Sequence, residues 1–126
     1  MKKLLFSIVF LVFPIISYAA GPFDGIYSIS IPGEPEVSYM SVHENNGNMI
    51  AIFIEPDPND ATWEALSGVR VNNSAQLKSV LGTVILDISL VFNDDQTASA
   101  TIISCIPDPE ICDIPNNTTL NMTKIF

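Results

Sequence analysis

His43 is the single histidine of this 126-residue sequence, and so the one side chain type whose ordinary pKa lies near neutrality occurs once. To act as a general base it must reach a nucleophile. In the run VSYMSVHE, Val37 to Glu44, strand alternation puts Tyr39 and Ser41 on the face of His43. A hydrolytic serine also needs a strained elbow such as G-x-S-x-G to present it, and the sequence contains none. No sequence motif marks a group that would orient the imidazole. No catalytic residue is therefore assigned, and the chain is expected not to be an enzyme.

Oxygen ligands are more plentiful. Asp57, Asn59 and Asp60 share one loop and offer the hard donors that calcium accepts; Asp94 and Asp95, or Asp108, Glu110 and Asp113, offer others. None of these matches the twelve-residue calcium loop with its central glycine and terminal glutamate. Asp, Asn and Pro are also the residues turns require for backbone reasons. The Asp57 loop is kept as a weak metal candidate, and no cofactor is expected. Glu34 and Glu36 flank Pro35 in an open turn, where their expected role is solubility.

Cys105 and Cys112 stand too far apart for a C-x-x-C redox or zinc pair, and no further ligand accompanies them. The expectation is a disulfide that clasps a short Pro-rich loop, with a chain-entropy stabilisation of about 2.5 kcal/mol. This suits an oxidising compartment. The amino terminus points the same way. Lys2 and Lys3 precede an apolar run from Leu4 to Ile16, and Ser17-Tyr18-Ala19 puts small residues where signal peptidase reads. The run is short of the roughly 20 apolar residues a membrane helix needs. Residues 1–19 are expected to be a cleaved signal peptide and 20–126 a single exported domain in the periplasm or outside the cell, with no stable membrane insertion.

The full chain carries a formal charge of -9, and loss of Lys2 and Lys3 makes it more negative still. Arg70, Lys78 and Lys124 are the only bases left, too few to meet a phosphate backbone, so nucleic acid is excluded as a partner. The Asn-x-Ser/Thr matches at Asn72, Asn116, Asn117 and Asn121 read as accidents of composition behind a bacterial-looking MKK start.

The elements that must position these groups are all strands. Turn residues recur at short intervals, and the runs between them are β-branched or aromatic without helical spacing. Strands are expected over Gly25 to Ile31, Val37 to Glu44, Met49 to Glu55, Thr62 to Val71, Ser74 to Val80, Thr83 to Phe92, Thr97 to Ile106 and Thr118 to Ile125. Asn45-Asn46-Gly47-Asn48 tolerates positive φ and should close a hairpin. A short helix over Asp60 to Leu66 is the alternative to strand at one place, and strand is preferred because Gly68 and β-branched residues follow directly. An antiparallel up-and-down meander of about eight short strands hides its edges by closing, or nearly closing, into a barrel, so the fold class is all-β.

Within the sixth strand Val84, Leu86, Ile88, Leu90 and Phe92 should face the core. The third strand is apolar on both sides, with Ile50, Ile52 and Ile54 opposite Met49, Ala51 and Phe53. Such a strand is covered by a loop or terminus, forms an interface, or faces a cavity. Cover by the segment around Pro22 and Phe23 is the expected arrangement.

The run GIY, the meander, the NNGN hairpin and the strand WEALSGV with its lone Trp63 resemble a small calycin-type barrel, the class of lipocalins and avidins. The chain is also similar to small secreted proteins of Gram-negative bacteria with a G-x-Y start, a VHENNGN hairpin and a final strand like LNMTKIF. Tyr27 stands where lipocalins carry a tryptophan, there is no room for their carboxyl-terminal helix, and one tryptophan cannot supply a biotin site. The resemblance implies a fold and no ligand.

Two functions follow as expectations. In the first, the barrel carries a small apolar or aromatic ligand, lined by Tyr27, Tyr39, His43, Phe53 and Trp63, although an eight-strand barrel is only just wide enough for its own side chains. In the second, it is an acidic interaction module or inhibitor acting on a basic partner, as lysozyme-like enzymes are, through its loops or the outer face of strand three. Its oligomeric state is left open. An open interior would favour the carrier and a filled one the interaction module.

Overall fold

The computed structural model describes residues 21–33, 37–55, 62–81, 84–106 and 114–126. They form β1 (Gly25–Ser30), β2 (Val37–Asn45), β3 (Asn48–Glu55), β4 (Thr62–Val71), β5 (Ser74–Leu81), β6 (Ile85–Phe92), β7 (Thr97–Ile106) and β8 (Thr119–Lys124). Each strand pairs antiparallel with its sequence neighbours, and β8 returns to β1, so the sheet closes as an eight-strand up-and-down barrel. This is the all-β architecture expected, and it is consistent with a calycin-like fold. The helical alternative does not occur over its described part, since Thr62 to Leu66 begins β4. The expected signal peptide lies outside the described residues.

The turns follow from residue chemistry. Asn46 and Gly47 both adopt positive φ, 53° and 79°, the two-residue turn whose twist matches that of the flanking strands. The hairpin is therefore tighter than the four-residue turn expected: Asn45 and Asn48 pair as the last rung instead of joining the loop. Asn72, with φ 57°, does the same service between β4 and β5.

Alternation sorts each strand into an inner and an outer face. Tyr27, Ile29, Met49, Leu66, Leu77, Ile88, Leu90, Phe92, Leu120 and Met122 are all less than 2% exposed and pack along the axis. Burying each such large side chain contributes roughly 1.5 to 3 kcal/mol, so this packed column is the main source of cohesion. Ala51, Ala75, Ala98 and Ala100 are buried between them and leave the larger groups room. Gly68 is required by a close approach: a Cβ there would stand 2.0 Å from the Gln76 carbonyl oxygen and 2.9 Å from the Leu77 side chain.

β6 keeps Ile88, Leu90 and Phe92 in the core as expected, while Val84 and Leu86 are only half-buried. Leu86 still packs against the core, and the facing β7 carries a bulge. Ile88 pairs with Ile102 but Asp87 pairs with Ser104, which leaves Ile103 as the extra residue on β7 and changes the facing beyond it.

The expected cover of β3 is corrected. The segment from Gly21 to Asp24 turns onto the end of the barrel, where the Phe23 ring stacks on Phe92 at 4.1 Å, nearly parallel at 7°. The outer face of β3 is left open, with Ile50 51% and Ile54 41% exposed. An aromatic ring gains more by capping the apolar column than by lying on a convex wall, because there it is enclosed on several sides.

Candidate functional site

The barrel has two unlike ends. At one, the strands are joined by the short links at Asn46-Gly47, Asn72-Asn73 and Asn93 to Gln96; at the other lie the longer segments joining β1 to β2, β3 to β4 and β7 to β8, beside the short link from β5 to β6. The tight end is plugged. Besides the Phe23 and Phe92 stack, the Tyr27 hydroxyl donates to the Phe23 carbonyl at 2.8 Å, and the Glu44 backbone N–H donates to Asp24 Oδ1 at 2.7 Å. The Arg70 guanidinium lies 5.4 Å from the Phe23 ring centre and grips Glu44 with two hydrogen bonds, Nε to Oε2 and Nη2 to Oε1, both 2.7 Å. It also donates to the Asn72 carbonyl.

Charge at this end is shifted accordingly. The Arg70 hydrogen bonds hold the Glu44 carboxyl below its usual range, against a weaker opposing effect of burial. Burial, aided by the negative charges of Asp24, Asp95 and Asp94, pushes the Tyr27 hydroxyl up to about 12. Asp94 Oδ1 accepts from the Gln96 and Thr97 N–H groups and the Thr97 hydroxyl, which lower its pKa and commit it to the turn.

The five residues expected to line a ligand site do not converge. Tyr27 and Phe53 point inward, Tyr27 at the plugged end and Phe53 toward the longer loops, where it pairs with Met40 and Glu64. Tyr39, His43 and Trp63 stand on the outer wall. His43 Nε2 is 2.8 Å from Ser41 Oγ, two residues away on the same exposed face. Two inward polar residues near Phe53 were not anticipated: Ser38, 2% exposed, and Glu64, 5% exposed, whose Oε1 accepts the Val84 N–H at 3.3 Å. Alternation alone could have marked both, since each shares a strand face with core residues. The loop of Asp57, Asn59 and Asp60 lies outside the described residues. So does Cys112; Cys105, half-buried, pairs in register with Leu86 at the end of β7.

What the register does assemble is an exterior with two characters. Tyr39 faces Ile54, and Ile54 faces Trp63, so the three form one row across β2, β3 and β4. They are 36%, 41% and 49% exposed. At the usual strand spacing the two aromatic residues stand about 9 to 10 Å apart with the isoleucine between them. Below this row Ile52 faces Ala65, and Ile50 faces Ser67. On the other side of the barrel many outer positions are hydroxyls and amides, with Ser28 and Ser30 on β1, Ser99 and Thr101 on β7, and Thr119, Asn121 and Thr123 on β8, beside the exposed Ile26 and Ile103. Thr101 and Thr119 hydroxyls touch at 2.9 Å across the strands. Exposed aliphatic side chains also occur elsewhere, at Val71, Val80, Leu81, Ile85 and Ile106 among others, so what sets the β2 to β4 row apart is its pair of exposed aromatic rings.

No protein-family model, curated protein or solved structure matches this chain.

Proposed function

We propose that the protein is an exported, non-catalytic binding protein that docks a partner through the outer wall of β2, β3 and β4. The observation that carries this reading is the exposed row Tyr39, Ile54 and Trp63. Tryptophan and tyrosine dominate binding hot spots because they offer large, stiff contact areas, and Tyr39 and Trp63 are the exposed tyrosine and tryptophan among the described residues. The packed column of side chains around Tyr27, Leu90 and Phe92 supports the same reading, since it occupies the axis toward the plugged end. No catalytic role is given to His43, whose neighbour in the wall is a serine with no orienting third group among the described residues.

One observation favours a carrier as the second reading. Phe53, Ser38 and Glu64 make the inner surface toward the longer loops both apolar and polar, as small-molecule sites are. Titration with a fluorescent apolar probe such as anilinonaphthalene sulfonate separates the two. The docking reading expects weak, unsaturated binding that declines in a Trp63→Ala variant. Saturable binding of one probe per barrel, unaffected by Trp63→Ala but lost on Phe53→Ala, would replace it with the carrier.

Export and the cysteine clasp have their own check. Intact-mass measurement of protein recovered from the periplasm or medium should give a chain that starts near Ala20 and is two hydrogens lighter than its reduced form. A retained leader, or two free thiols at Cys105 and Cys112, would remove export or the clasp from the proposal.

A further inference from the structure

We infer that the occupant of the β2 to β4 wall is a cationic protein segment, one that presents aliphatic side chains flanked by lysine or arginine. The inference rests on the reading of that wall as a docking surface and adds the chemistry of what docks there.

Three observations lead to it. First, the exposed faces of Tyr39 and Trp63 attract cations through their ring quadrupoles while Ile54 between them offers purely apolar contact. A partner satisfies all three by alternating positive and aliphatic groups. Second, none of the bases among the described residues stands free beside the row. Arg70 is spent on Glu44 at the plugged end, Lys78 has Asp87 at 3.6 Å, and Lys124 ends β8 close to Gly25, away from the row. Third, the protein as a whole is negative, with a formal charge of -9. The whole chain holds 14 carboxylates against five bases.

The same charge argues against a second copy as occupant. Two copies carry the same net negative charge, and like charge opposes their association. A basic partner meets the opposite situation: the field speeds its approach and the apolar row holds it.

The test uses the mature protein and dye-labelled amphipathic peptides, one of leucine and lysine and one with every lysine replaced by glutamate. Fluorescence anisotropy should report binding of the lysine peptide that weakens about tenfold as salt is raised from low to physiological strength, as expected for partly exposed charges. Trp63→Ala should weaken it by at least about tenfold, the size of a hot-spot loss. Because Trp63 is half exposed, its removal leaves the core column intact, and Tyr39→Ala should give the same ordering. Equal binding of the glutamate peptide, still sensitive to Trp63→Ala, would leave the docking wall standing and overturn its cationic occupant. So would a dimer in sedimentation that Trp63→Ala dissociates. If neither peptide responds to Trp63→Ala, the docking reading itself falls.

Discussion

Truncating Phe92 to alanine is expected to cost about 3 to 5 kcal/mol of folding stability, the range for large aromatic to alanine changes in a packed core. Phe92 is 1% exposed and receives the Phe23 ring on one side and the tilted Tyr27 ring, at 6.2 Å, on another. Its loss leaves a void that strands held in a closed ladder cannot collapse to fill, and it also releases Phe23, so the plug loses its anchor. Equilibrium urea unfolding followed by circular dichroism measures this. The comparison is Ile50→Ser on the outer wall, which should move stability by no more than about 0.5 kcal/mol. A Phe92→Ala protein within about 1 kcal/mol of the parent would mean that the aromatic stack is not what seals this end.

The second large effect is electrostatic. Arg70→Ala is expected to cost about 2 to 4 kcal/mol, because it strands the Glu44 carboxylate, whose side chain is only 5% exposed, without its partner. The figure sits below that for a fully buried pair because the Arg70 side chain retains 21% exposure and part of its charge is solvated. Glu44→Gln in the same chain should recover part of the loss by removing the orphaned charge. The pH profile follows from the same geometry. Glu44 has its pKa lowered by folding, so its contribution is present above the ordinary glutamate range and fades as pH falls toward and through the lowered folded value. The acid limb of the parent's stability curve should therefore be steeper than that of Arg70→Ala. Tyr27 has the opposite sense: raised from 10.0 to about 12, it stabilises the fold below pH 10 and loses that contribution as pH climbs through 12. Tyr27→Phe should flatten this alkaline limb. Curves that superimpose for parent and variants would show that neither group is linked to folding.

Most of the barrel was legible from alternation and turn chemistry. β4 and β7 have the expected limits, and the other strands differ by a residue or two at their ends, where register and not residue type decides. NNGN could announce a hairpin, but only the pairing of Asn45 with Asn48 fixes the turn at two residues. The bulge at Ile103 was not legible, since an extra residue on one strand is defined by its partner. The site was less legible than the fold. Tyr39 and Trp63 were marked as ligand-lining aromatics, yet face assignment depends on register: a shift of one residue would have put both inside. The Arg70 and Glu44 pair, 26 positions apart, left one faint trace, that Arg70 is the lone arginine of an acidic chain. Phe23 was expected to cover β3 because both are apolar, and sequence cannot say which of two apolar surfaces a short segment will choose.

The seam between β1 and β8 sets the order of assembly. It joins residues such as Ser28 and Thr123, 95 positions apart along the chain, whereas every other strand pairing is between sequence neighbours. Closing so long a loop costs configurational entropy that local hairpins do not, and its reward arrives only when both strands are in place. Until Thr119–Lys124 is available, β1 and β7 each present an unpaired edge of backbone donors and acceptors. Any interruption of synthesis or transport before that strand therefore leaves a seven-strand ribbon, with two edges able to add foreign strands, in place of a cylinder with none.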